Sequence, residues 1–301
     1  MLLSMLSGFS AGAAVKQSSI NLTPFSNLKV AGTFSVSLVR GSDYRALITV
    51  EESYMDYIVC SVTDNVLTID IDERRVPSEV KRQFRGKGTP DPVFSAVIYV
   101  PELIRSVELD DKAVLCDSED VFDKSKVTFD LDDNSNMNNL EVSSQHVEIS
   151  LQNKSTADVK VSCTKLEVDT SNSSNLTIVE TSEDAAYSLQ GSSKVVAKSR
   201  TVHMEIKTKS NTTMTLYGTG DSITYNLSGT SEVNAMGFEV PDAKINMTSV
   251  CALYQAAYRS LTLNMNGGSA LYFKNEPQVS IENIKSSTVS RVADASGAKR
   301  L

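Results

Sequence analysis

Apolar and polar residues alternate one by one along most of this chain, and short polar stretches with a bend-forming residue at their centre interrupt the alternation at regular intervals. The stretch Ser222 to Ala235 (SITYNLSGTSEVNA) shows the unit. Leu227 closes one apolar run, Gly229 follows two places on, Ser231 is the small residue at four, and Val233 reopens the apolar run at six. The same frame opens at Leu109, Leu131, Leu151, Thr170, Leu189, Thr208, Met247, Met265 and Ile284. Its small-residue column reads Ala113, Ser135, Ser155, Ser174, Ser193, Thr212, Ser231, Cys251, Ser269 and Thr288, spaced 22, 20, 19, 19, 19, 19, 20, 18 and 19 residues apart. The column between them reads Asp111, Asp133, Asn153, Asn172, Gly191, Ser210, Gly229, Ser249, Gly267 and Ser286. These residue types tolerate left-handed or turn backbone, so that column predicts a corner.

A period this short means a solenoid, and period-2 alternation excludes the helical solenoids, whose repeats are longer and follow a 3.6-residue period. The fold predicted is all-β: a parallel β-helix with coils of about 19 residues, right-handed because parallel crossovers almost always are. An inward Ser/Thr column predicts a ladder of hydroxyls bonding from coil to coil.

The chain divides into a leader over 1–19, an opening and capping portion over 20–100, coils over 101–292, and a tail over 293–301 where the pattern is lost. The leader, MLLSMLSGFSAGAAVKQ, carries an apolar stretch ending in small residues, the pattern of an export signal, and no Cys follows that would take a lipid anchor. No later run is apolar enough to span a membrane as a helix. In the opening portion, Val30, Gly32 and Phe34 fit the coil frame with Phe34 in the small-residue place, which predicts an end coil with nothing stacked above it. Strands are predicted at 46–51, 57–62, 66–71 and 93–100, the middle two forming a hairpin around Thr63, Asp64 and Asn65. The polar, proline-bounded segment 72–92 reads as a long surface loop.

Charge and chemistry narrow the function less than the fold. The formal net charge of −8 speaks against nucleic acid or an anionic membrane as partner, and the one basic run, Lys81 to Lys87, lies in the surface loop. Cys60, Cys116, Cys163 and Cys251 form no C-x-x-C pair, which predicts small buried thiols and neither a metal nor a redox motif. His146 and His203 lie three coils apart without a nucleophile in a catalytic pattern, so no triad is expected. The acidic residues are more suggestive. Asp110 and Asp111 hold the two places before and at one corner, and Asp132 and Asp133 hold the same places one coil later, with Asp130 close by. Stacking would gather four carboxylates, an oxygen-rich setting that suits calcium; the alternative is that Asp serves there as a turn former.

The segment VPELIRSVELDDKAV (Val100 to Val114), together with the opening FSNLKVAGTFSVSLVRG and the coils LQGSSKV and LSGTSEV, resembles the bacterial head GIN domain family of autotransporter adhesins. The resemblance runs from about residue 20 through nearly the whole chain. It implies a parallel β-helix on an exported or surface-attached protein, with no catalytic motif to carry over. Asp110-Asp111 and Asp132-Asp133 depart from the Ser-Gly common in that family. Together these features predict an exported, non-enzymatic cell-surface or envelope scaffold, an adhesin that binds glycan or protein through a coil face and requires no cofactor. The alternatives are a calcium-dependent polysaccharide lyase, for which Lys112 and Lys154 would have to supply the base, and a purely structural rod.

Overall fold

The computed structural model describes residues 14–86, 89–118 and 120–292. The first thirteen residues of the predicted leader and the tail 293–301 lie outside the described residues.

From residue 106 on, the chain winds as the parallel β-solenoid that the repeat predicts. Ser106–Leu109, Lys126–Leu131, His146–Leu151 and Lys165–Thr170 stack in parallel into one sheet, and Val114–Cys116, Asn136–Ser143 and Thr156–Ser162 stack into a second. Later coils fuse the segments of both sheets into continuous strands, Asn175–Leu189, Lys194–Thr208, Thr213–Leu227, Glu232–Met247 and Ala252–Asn266, each parallel to the next, the last two pairings with register shifts between Thr215 and Tyr217, Ala235 and Glu239, and Val240 and Asp242. Alternation decides what faces inward. In one coil Ala185, Tyr187, Leu189, Val195 and Ala197 are buried, while Lys194, Val196 and Lys198 are exposed. The buried side chains form one continuous apolar core along the rod.

Every residue of the predicted corner column has positive φ, from 46° at Asp133 to 82° at Gly229. Gly32, at φ 72°, makes an eleventh corner of the same kind. In the second half of the rod the column alternates, with Gly191, Gly229 and Gly267 separated by Ser210 and Ser249. The glycine corners sit down on the corner before them: a Cβ on Gly229 would stand 2.5 Å from the Ser210 carbonyl oxygen. Glycine is needed there for room as well as for φ.

The small-residue column is buried as expected, but it makes no coil-to-coil hydroxyl ladder. Ser174, Ser193 and Ser231 donate to carbonyls three residues back in their own coil, Ser171, Gln190 and Ser228, and the Cys251 thiol does the same to Thr248. The corner turn brings those carbonyls next to the hydroxyls of the same coil, and the nearest donor takes them. Contacts between coils run instead from Thr170 Oγ1 to Ser193 and between Thr208 and Ser231. Ser135, Ser155 and Thr212 have hydroxyls with no partner.

The opening portion corrects the sequence in one respect. The coil of Phe34 is no end coil: Asn27–Val30 and Ser35–Arg40 lie between Val66–Ile71 and Phe94–Val100 on one side and the first regular coil on the other. Phe34 is fully buried against Phe94, ring centroids 5.6 Å apart. Antiparallel strands do the capping instead. Arg45–Glu51 pairs with Phe94–Val100, Val15–Asn21 pairs with Arg45–Glu51, and the hairpin Ile58–Thr63/Val66–Ile71 turns at Asp64 and Asn65, both with positive φ. The first strand of the described residues, Val15–Asn21, starts within the stretch assigned to the leader. The segment 72–92 contains a short helix, Ser78–Gln83, anchored by buried Val76.

At the other end, Gln278–Lys285 is exposed at every residue, including Ile281. Its register against Ala252–Asn266 slips at Glu282, a bulge that, with the charges of Glu282 and Lys285, blunts the edge against further pairing. Among the described residues no helix is long and apolar enough to cross a membrane.

The corner geometry makes opposite predictions for neighbouring coils. Gly229→Ala should destabilise by about 1–3 kcal/mol, because the new Cβ meets backbone at positive φ. Ser210→Gly should raise the melting temperature by relieving left-handed strain worth about 1 kcal/mol. Thermal unfolding of the two variants checks both signs.

Candidate functional site

The structure stacks the two predicted aspartate pairs on successive coils, with Asp132 donating its backbone N–H to the Leu109 carbonyl below. The first member of each pair is a turn former. Asp110 accepts the backbone N–H of Asp111 at 2.7 Å, and Asp132 accepts that of Asp133 at 2.8 Å and the Asn153 amide at 2.7 Å. The second members are exposed and join no ion pair among the described residues, and the charge of Asp132 holds the Asp133 carboxyl above its ordinary range. Asp130 is also raised, chiefly by burial. The corner concentrates negative charge on one edge of the rod. Lys112 and Lys154 sit on the turns beside it, Lys154 at φ 71°.

His146 and His203 stay apart, as the repeat requires. His203 Nδ1 lies 2.8 Å from Ser222 Oγ on the next coil. His146 has carboxylate neighbours: its Nε2 is 3.0 Å from Glu167 Oε2 and 3.4 Å from Glu148 Oε1. Among the described residues this trio, and no group containing the corner aspartates, brings three ligating atoms within 4.8 Å of one another. Sequence reading missed it because Glu148 and Glu167 are brought together only by the coil register.

The outward face of the second sheet is different in kind. Lys194, Val196, Lys198 and Arg200 all point outward from one strand. In register beneath them lie Asn175, Thr177, Val179 and Thr181, and above them Thr213, Thr215, Tyr217 and Thr219. No acid stands in either facing row, and none of the three cations joins an ion pair among the described residues. Lys198 lies between two exposed apolar side chains, Val179 and the half-exposed Tyr217. The column of Lys198 continues down the rod through Lys160 to Glu141, which lines an open cleft of about 700 Å³ with Asp117, Phe122 and Asn139. The cleft forms where Val114–Cys116 is only three residues long and the pairing of Asn136–Ser143 slips between Met137 and Leu140. The strip was legible in principle, since KVVAKSR puts its cations on alternate positions; a net charge summed over the whole chain hides it.

Residues 24–199 and 178–277 match the family described as "Putative auto-transporter adhesin, head GIN domain". The chain belongs to this family. Solved structures of similar fold include a "Putative lipid binding protein" from Parabacteroides distasonis, 17% identical with a TM-score of 0.50, covering 93% of this chain and 97% of that one. A "putative adhesin" from Parabacteroides merdae is 17% identical with a TM-score of 0.53, covering 93% and 96%. At this identity the likeness extends to the fold. No curated protein matches.

The interior of this head GIN chain holds a buried carboxyl with one oxygen left unpaired among the described residues. Glu180 is buried at a position where the coil below has Val161 and the coil above has Ser199. It accepts a hydrogen bond from Ser199 through Oε1, while Oε2 has no partner. Burial pushes its carboxyl up. Burial also raises the thiols of Cys163, to about 12, and of Cys60 in the opening hairpin, to about 11; all four cysteines are free, and only Cys251 is fully buried.

A carboxyl whose folded value is raised contributes stability that is complete below its unfolded value near 4.3 and is lost as pH rises through the folded value. Wild-type stability should therefore decline over that window. Glu180→Gln, which keeps the shape and removes the charge, should flatten the decline and be more stable at pH 7, as measured by denaturant unfolding across pH.

Proposed function

We propose that this chain is an exported, non-enzymatic surface scaffold that binds an acidic glycan through the outward face of its second sheet. The observation that carries this is the strip of Lys194, Lys198 and Arg200, three cations that join no ion pair among the described residues, beside exposed Tyr217, on a protein whose overall charge is −8. Strands about 4.8 Å apart present these groups as a flat array, and a carboxylated or sulfated polymer lying across the coils would meet cations for its anionic groups and an aromatic ring for its sugar faces. Threonines on either side add hydroxyls able to donate and accept. The adhesin description of the family supports a binding role, and the apolar, small-residue pattern near residues 1–14 supports the proposal of export.

The enzymatic alternative has less support. A lyase base would have to come from Lys112 or Lys154 beside the acidic corner, and the corner is occupied with turn chemistry at Asp110 and Asp132. Incubation with acidic polysaccharides should yield no unsaturated, ultraviolet-absorbing product. Calcium at Asp110, Asp111, Asp132 and Asp133 is proposed as a modulator of charge on that edge, to be read from calcium and chelator arms of the binding experiment.

A glycan array probed with the protein should favour uronic or sulfated polymers over neutral ones. The double variant Lys198→Glu/Arg200→Glu should lose at least tenfold in affinity with an unchanged melting temperature, because both side chains are exposed. Equal binding by the variant, or preference for neutral polymers, would sink the proposal. Binding only to anionic vesicles would assign the same strip to a lipid headgroup instead.

A further inference from the structure

We propose that His146, Glu148 and Glu167, on the outward face of the first sheet, form a binding site for a divalent transition-metal ion such as zinc. This site is independent of the glycan face and of the acidic corner. Its geometry comes from the coil. His146 and Glu148 are two residues apart on one strand and so point the same way, and Glu167 lies directly above Glu148 on the next strand. The donor set is one imidazole nitrogen and two carboxylate oxygens, which zinc accepts together with a water in a fourth, open position.

The separations fit the ion. Bonds of about 2.1 Å at tetrahedral angles put neighbouring ligand atoms about 3.4 Å apart. Here Nε2 of His146 is 3.4 Å from Glu148 Oε1 and 3.0 Å from Glu167 Oε2, the second a hydrogen bond that the metal would replace. The side chains are half-buried, and Thr128 Oγ1 donates to Glu148 Oε2 at 3.1 Å, which fixes that carboxylate with its other oxygen toward the histidine.

Two lysines share the carboxylates, and they do so unequally. Lys165 holds Glu167 through Oε1, 2.7 Å away, leaving Oε2 for the metal. Lys126 lies 2.7 Å from Glu148 Oε1, the oxygen the metal needs. Lys126 is therefore the competitor and must swing away, which its half-exposed side chain permits. Lys165 can stay. This asymmetry separates a metal site from a chain of surface ion pairs, since only a metal site gains when Lys126 is removed.

Zinc titration of the tag-free full chain by calorimetry is the test, with cobalt absorption as a second readout. One-to-one binding is expected, with the intense visible band of four-coordinate cobalt. His146→Gln and Glu167→Gln should each weaken binding at least tenfold, Lys126→Met should tighten it severalfold, and His203→Gln should leave it unchanged. Absence of saturable binding by the wild type would overturn the assignment. So would equal binding by His146→Gln and the wild type, or no tightening in Lys126→Met, a variant at an exposed position that does not threaten the fold.

Discussion

One backbone event, repeated once per coil, holds this rod together: a residue in the left-handed region between two inward-facing strands. Each passage through positive φ swings the chain sharply enough for the next strand to lie parallel to its predecessor, and each lands directly over the corner before it. Parallel strands need that register, because a one-residue slip would turn every buried side chain outward. The glycine corners tighten the arrangement further by letting one turn sit against the backbone of the last, as Gly229 does on Ser210. Buried apolar surface supplies the drive, and the corners decide where it is spent.

That constraint explains which features could be read in advance. A corner restricts residue type directly, so Asp, Asn, Gly and Ser at fixed intervals announced the period, the parallel fold and each turn. The hydroxyl column was located correctly but its bonding was misjudged. Burial follows from position in the coil, whereas the choice of partner depends on which acceptor the turn brings close, and Ser193 finds Gln190 of its own coil before any neighbour. The opening portion was harder because chain order and stacking order differ there. The coil of Phe34 is covered by strands that come some thirty to sixty residues later in the sequence, Val66–Ile71 and Phe94–Val100, and nothing local in the sequence marks that return.

The candidate sites divide in the same way. The aspartate pairs repeat at consecutive corners and so were visible, although two of the four turned out to serve the turn itself. His146, Glu148 and Glu167 belong to two coils and no corner, so only the stacking register joins them. The cation strip lies on the alternate positions of one strand alone, so the coil period does not mark it. A solenoid makes both kinds of site cheaply. Its core tolerates almost any outward residue, so each face can carry its own chemistry while the corners keep the columns aligned.

The central claim is that the ligand lies on the face of Lys194, Lys198 and Arg200. Hydroxyl-radical footprinting of the protein with and without a saturating acidic polysaccharide tests it most directly, because Tyr217, Val196 and Val179 are exposed reporters within that face. Protection confined to those side chains is the predicted result. Protection centred on Tyr258 and Val250, or none on Tyr217 under conditions where binding is saturated, would contradict it.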